Sequence, residues 1–202
     1  MLYWLLKPVG IMIMFSLFKI RVSGQDRVPH GSVIIAANHD SYFDPIILSG
    51  VFKKPIHFMA KTELFSHRFG SWFLRQLHAI PVDRKSGIVI RPVRQALNTI
   101  EQGELFGIFP EGTRCKPGET VRPKKGVAFL GRKTEVPIVP VTIIKGKKVL
   151  WRRPVKVVIG EAIAPGDFPS ADDEWMSRYV MAQIRERSED EELEWLGKPS
   201  EN

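Results

Sequence analysis

Residues 2–18 are almost wholly apolar, broken only by Lys7-Pro8, and the uninterrupted part runs ten residues from Val9 to Phe18. At ~1.5 Å per residue, that part reaches about half-way across a ~30 Å hydrocarbon core. The pattern predicts a membrane-associated helix lying on or half-entering a bilayer; a tilted full span and an ordinary core helix are the alternatives. Lys19-Ile20-Arg21 follows where a secretory signal would carry small residues for cleavage, so a cleaved signal does not fit. Beyond it, short runs rich in β-branched residues recur at 18–22, 33–37, 56–60, 79–82, 105–109, 138–144 and 155–159, which read as seven strands. Within 88–102, Ile90, Val93, Leu97 and Ile100 recur at near-helical spacing, with Gly103 as a stop. Residues beyond 171 read as one helix through Trp195. The alternation of strand and helix predicts an α/β fold: a single domain with a mostly parallel or mixed seven-stranded sheet covered by helices. The expected divisions are the apolar segment 1–18, the α/β body 19–170, and an acidic helix and tail 171–202.

Length and composition agree with that picture. The 202 residues, 44% hydrophobic and 26% charged, describe one ordinary folded domain and exclude global disorder or a fibrous repeat. The net charge of +8 hides an asymmetry. Residues 1–168 hold 26 Lys and Arg against 12 Asp and Glu, whereas 169–202 hold 4 against 10. The cationic body suits a phosphate-bearing partner, whether nucleic acid, anionic headgroups or a small phosphorylated substrate. A single cysteine, Cys115, allows no internal disulfide, and no Cys/His cluster offers a zinc site. Serine-elbow, P-loop, dinucleotide-binding and HExxH patterns are also absent.

Two strand-end stretches carry the candidate chemistry. The first is Asn38-His39-Asp40-Ser41-Tyr42-Phe43-Asp44-Pro45, directly after the strand at 33–37. Ligand sites of open α/β sheets gather at such strand ends. Pro45 suits the first turn of a helix at 46–51 and would put Asp44 at its N-cap. A short loop can then turn His39 back to Asp44. A carboxylate on one imidazole nitrogen leaves the other as a proton acceptor. The second stretch is Phe109-Pro110-Glu111-Gly112-Thr113-Arg114, where glycine lets backbone N–H groups approach an anion and Thr113 and Arg114 can donate to phosphate. Glu111 could orient the arginine or a glycerol hydroxyl. Taken singly, each stretch also reads as a capped helix or a polar turn.

Together the two stretches resemble the glycerophospholipid acyltransferase family, most of all its 1-acylglycerol-3-phosphate acyltransferases. NHDSYFDP carries that family's NHxxxxD block and FPEGTR its EGTR block. Lys61-Thr62-Glu63-Leu64 looks like the Lys-x-Glu-Leu segment, and Ile80-Pro81-Val82-Asp83-Arg84 like the block ending in arginine. Lys124-Lys125-Gly126 and the strand around Pro137 and Pro140 follow in family order. Cys115 stands where the family commonly has serine. A cysteine there raises the alternative of an acyl-enzyme, against its being a small turn residue.

The resemblance implies transfer of a fatty acyl group from a thioester, acyl-coenzyme A or acyl-acyl carrier protein, to the 2-hydroxyl of lysophosphatidate. His39 would be the general base and Asp44 its orienting partner. Lys61, Arg84 and Arg114 would hold the acceptor phosphate, with Glu111, Gly112 and Thr113 shaping the glycerol end. No metal, bound cofactor or nucleic acid is expected. The partners would be the lipid acceptor, the thioester donor, acyl carrier protein if it is the donor, and an anionic membrane surface on the cytoplasmic face of the cell membrane. Lys7, Lys19 and Arg21 would sit among headgroups, and the aromatic and cationic run 65–75 reads as an interfacial or half-buried helix. A related acceptor (a lyso-ornithine lipid or glycerol 3-phosphate) and a non-catalytic phospholipid-binding module are the rival readings.

Overall fold

Val33 to Ala37 are all fully buried, so this strand lacks the in-and-out alternation of a half-exposed one and must be covered on both faces. The computed structural model, which describes residues 2–83, 90–116, 119, 121–147, 150–167 and 172–195, shows how. The elements are α1 (Leu2–Leu17), β1 (Phe18–Ser23), β2 (Val33–Ala37), α2 (Asp44–Val51), β3 (Ile56–Lys61), α3 (Arg68–Gln76) and β4 (Ala79–Val82). They continue with α4 (Ile90–Glu101), β5 (Leu105–Ile108), α5 (Gly126–Thr134), β6 (Ile138–Lys145), β7 (Arg153–Ile159) and α6 (Asp173–Trp195). Seven strands form one sheet in the order β1-β7-β6-β2-β5-β3-β4. From β6 to β4 all neighbours are parallel; β7 turns back antiparallel to β6 and carries β1 parallel beside it.

Helices cover both faces. On one face Val33, Ile35 and Ala37 pack with Ile47 and Leu48 of α2 and Met14 of α1. On the other, Ile34 and Ala36 pack with Ala96 and Ile100 of α4, Val127 and Leu130 of α5, and Val180 and Ile184 of α6. Because the five parallel strands share a direction, Asn38, Lys61, Phe109 and Lys145, at or just beyond the ends of β2, β3, β5 and β6, all reach one edge of the sheet. Gly107 of β5 also serves that edge. A Cβ there would lie 2.1 Å from Cε1 of Phe58, so only glycine leaves room for the Phe58 ring, which stacks on Phe109 at 5.5 Å.

α1 is fastened to the body. Met14 is buried against Gly50 of α2, where an added Cβ would meet its Cε at 2.5 Å. The Lys7 ammonium donates to the carbonyls of Phe52 and Lys53 at 2.8 Å each, satisfying acceptors just past the end of α2. Lys7 is therefore a clamp between helices and not, as the sequence suggested, a headgroup contact; burial lowers its pKa. None of the helices among the described residues is long and apolar enough to cross a membrane. In α3, Phe69, Trp72 and Phe73 are exposed while Gly70, Ser71 and Leu74, with Phe65 just before the helix, are partly buried, so one face of this surface helix rests on the body and the aromatic face is open.

Candidate active site

The loop after β2 is built around one carboxylate. Asp44 is fully buried at the start of α2. Its Oδ2 accepts the His39 Nδ1 hydrogen bond at 2.8 Å and the amides of Asp40 and Ser41 at 3.0 and 2.8 Å. The helix begins one turn position earlier than expected, with Phe43 as N-cap and Pro45 inside the first turn, so Asp44 is not the cap. Its side chain points back into the loop, where it accepts the Asp40 and Ser41 amides and holds the turn closed. Asn38 extends the ladder between β2 and β6: its Nδ2 donates to the Ile143 carbonyl at 2.9 Å and its Oδ1 accepts the Ile143 amide at 2.7 Å.

His39 is fixed in every direction but outward. Its ring stacks on Phe109 with centroids 4.1 Å apart, its Nδ1 faces Asp44, and only Nε2 remains for a substrate. The loop after β5 holds the backbone of the same residue. The His39 amide donates to Glu111 Oε1 at 3.3 Å, and the His39 carbonyl accepts the Cys115 amide at 2.8 Å. Gly112 takes φ 69°, and a Cβ there would press on the Lys124 side chain at 3.0 Å. On the outer side the Arg114 guanidinium lies 3.4 Å above the Tyr42 ring, a cation–π contact that joins the two loops again.

The sequence reading missed Lys145. At the end of β6 its side chain is only 6% exposed; its ammonium lies 2.6 Å from Asp44 Oδ1 and also contacts the Asp40 carboxylate. The 2.6 Å approach is an ion pair and not an aligned hydrogen bond, since Oδ1 has no hydrogen-bonded partner. Burial pushes the Asp44 carboxyl upward, but the His39 bond, the adjacent Lys145 ammonium and the Ser41 amide outweigh it and leave the pKa lowered. Glu111 shows the opposite balance. It is 4% exposed with Oε2 lacking a partner, and burial raises its pKa to about 7 against the bonds from its own and the His39 amides.

The structure thus brings His39, Asp44 and Glu111 together, with Gly112, Thr113 and Arg114 on the adjoining turn. Lys61 is exposed at the end of β3, which β5 separates from β2, so it stands about 10 Å along the same edge. Arg84 lies outside the described residues. Cys115 is partly buried and its thiol pKa is raised, by desolvation first and then by Glu111 and Glu119. That environment opposes an activated thiolate. Among the described residues no cluster of His, Cys, Asp and Glu could hold a metal ion.

A buried carboxylate, an imidazole with one nitrogen outside that hydrogen bond and an adjoining cationic turn lie together at the strand ends of an α/β sheet, an arrangement with which general-base chemistry is compatible. The chain belongs to the acyltransferase family: the family model described as Acyltransferase matches residues 19–144. It is 32% identical over 154 residues to the 1-acyl-sn-glycerol-3-phosphate acyltransferase of Bacillus subtilis (strain 168), covering 74% of this chain and 76% of that one. It is 35% identical over 140 residues to the enzyme of the same name from Borreliella burgdorferi, covering 67% and 55%. The fold is similar to the crystal structure of the 1-acyl-sn-glycerophosphate (LPA) acyltransferase from Thermotoga maritima, with TM-score 0.75, 28% identity and coverage of 94% of this chain and 79% of that one.

Proposed function

We propose that this protein transfers a fatty acyl group from an acyl thioester to the 2-hydroxyl of lysophosphatidate, forming phosphatidate and releasing the thiol. The observation that carries the reading is the His39–Asp44 pair, with Arg114 on the adjoining loop, in a chain of the acyltransferase family. An alcohol is a weak nucleophile near neutral pH. His39 Nε2 removes its proton as the oxygen attacks the thioester carbonyl, a step in which a positioned base contributes roughly 10² to 10⁴ in rate. Asp44 holds the Nδ1 proton and stabilises the imidazolium. Collapse of the tetrahedral intermediate breaks the C–S bond, and the thiolate takes the proton from His39.

The amides of His39, Asp40, Ser41, Gly112 and Cys115 already donate inside the fold, so the oxyanion is left to other donors. Arg114, Lys61 and Arg84 hold the acceptor phosphate, and Gly112 and Thr113 shape the glycerol end. Glu111 contributes from beneath by holding the His39 backbone. The reaction takes place at a membrane surface, because the acceptor's acyl chain favours the bilayer by ~0.8 kcal/mol per methylene.

Thiol release and lipid product followed together, with lysophosphatidate or glycerol 3-phosphate as acceptor and coenzyme A or acyl carrier protein thioesters as donor, test the reading. Wild-type protein gives phosphatidate and one thiol per product. His39→Ala loses at least about 100-fold in rate with the fold intact. A variant retaining a tenth of the rate overturns the general-base assignment; a wild-type chain that binds lysophosphatidate but never releases thiol overturns the enzyme.

A further inference from the structure

β7 returns antiparallel to β6, so the end of β6 and the start of β7, with the described residues between them, lie at the same edge of the sheet that carries His39. Its described residues include Leu150, 82% exposed, and Trp151, 69% exposed. Leu150 has φ 55°, a region in which a branched, non-glycine side chain is disfavoured. The local backbone therefore gives no reason for leucine at this position, and burial within the chain gives none for either residue. Lys147 and Arg153 flank the pair as exposed cations. Arg152 anchors it: its Nη2 donates to the Phe18 carbonyl at 2.9 Å, and its Nε is buried without a partner.

Beside this tip lies α1, whose Met14 faces the core while Met12 and Phe15 face solvent. A shallow cavity of about 610 Å³ separates the two, lined by Met12, Phe15, Ser16, Trp151 and Arg152. Tyr42, Phe43 and Ile46, from the loop and helix that carry Asp44, add exposed apolar surface, and the Phe43 ring touches Phe18 at 5.4 Å. Aromatic and aliphatic tips ringed by Lys and Arg match the boundary between acyl chains and anionic headgroups. A second copy of the chain fits poorly, because a symmetric contact here would oppose Lys147, Arg152 and Arg153 to themselves.

We propose that the β6–β7 tip is a membrane-docking finger for an anionic phospholipid bilayer. Leu150 and Trp151 enter the headgroup–acyl boundary, and the exposed Lys147 and Arg153 meet lipid phosphates. With the exposed face of α1 it forms a second point of contact, which fixes the tilt of the sheet and points His39 at the lipid. The finger rests on the reading that the acceptor is a bilayer lipid, but it is measured by binding, without turnover.

The test uses the full chain and vesicles of phosphatidylcholine alone or with about 30% phosphatidylglycerol. The wild type should sediment with the anionic vesicles, and less so as salt is raised. Leu150→Glu and Trp151→Glu should each weaken that partition about tenfold, while the rate on a short-chain, water-soluble lysophosphatidate stays within about twofold. Trp151→Phe should retain binding but lose part of the fluorescence that brominated lipid quenches, a readout that survives if the glutamate variants fail to fold. Unchanged partition in folded Glu variants, or equal quenching of wild type and Trp151→Phe, overturns the finger. So does a dimer of the wild-type chain that the Glu variants dissolve, because the tip would then be a protein interface. Loss of lysophosphatidate turnover with the vesicle results intact would instead count against the proposed reaction alone.

Discussion

Asp44, Glu111 and Lys145 lie beneath the functional edge of the sheet, each within contact of groups from another strand end. Arg114 and Lys61 stand on the same edge in solvent, and the neighbour shown for Arg114 is the face of Tyr42. On the proposed reading the first group handles the proton, and it is set before substrate arrives: the His39–Asp44 bond is made and His39 is stacked, so neither need be reorganised during the transfer. On the same reading the second group grips the acceptor, with exposed side chains whose energy is realised when a phosphate replaces water around them. Damage to the first half should therefore appear in kcat, and damage to the second in KM.

Lys145→Met is the severest test of that division outside the dyad. Removing the ammonium leaves Asp40 and Asp44 as neighbouring carboxylates, with Asp44 fully buried. The Asp44 pKa, which Lys145 helps to lower, must rise. In the proposed mechanism Asp44 acts only when ionised, so activity would be lost as pH falls through that pKa, and a higher pKa would move the acid limb of the kcat profile to higher pH. A loss of at least about tenfold at pH 6, recovering partly at pH 8, with KM unchanged, is expected. Lys145→Arg should restore most of it, which a purely structural filler such as Met would not. A loss independent of pH, or one confined to KM, would place Lys145 in packing or in substrate binding.

Arg114→Ala addresses the open half, and the expected effect is smaller because the guanidinium is exposed and water competes for its partner. KM for lysophosphatidate should rise about fivefold with kcat little changed, and KM for an uncharged monoacylglycerol should hardly move. Equal changes for both acceptors would mean that Arg114 acts through Tyr42 on the catalytic loop and not on phosphate. The difference between the halves would then disappear.

Much of this contrast was legible in the sequence, and the illegible part has a physical pattern. The seven strands fall where β-branched runs place them, within one or two residues at their ends, because a strand buried on both faces leaves a continuous apolar run. His39, Asp44 and the Glu111–Arg114 turn were legible because each motif is local, within a few residues of a strand end. Lys145 was not: its partners Asp40 and Asp44 lie 105 and 101 residues away, and a lysine closing an apolar strand reads as a solvated end. Lys7 misled for the same reason, its carbonyl partners lying 45 and 46 residues away. Leu150 and Trp151 went unnoticed because a run of three apolar residues, Val149-Leu150-Trp151, between cations gives no periodic signal. The Asp44 cap was a plausible local rule overridden by tertiary demand, since the loop amides and His39 needed the carboxylate more than the helix did.

The smallest effect is expected at Cys115, the position where chemistry could have belonged to the second loop instead of the first. A nucleophilic cysteine needs its thiolate, and desolvation together with Glu111 and Glu119 raises this pKa, so the neutral thiol predominates at physiological pH. The contribution of Cys115 that the site does use is its backbone N–H, donated to the His39 carbonyl at 2.8 Å. Serine supplies the same N–H and a side chain of similar size. Cys115→Ser should therefore keep kcat and KM within about twofold, and quenched protein should carry no acyl thioester by mass spectrometry. Proline cannot donate, so Cys115→Pro should lose far more than the serine variant by freeing the His39 carbonyl from the second loop. An acyl group trapped on Cys115, with the serine variant inactive, would move the chemistry across the edge and make the open half the catalytic one.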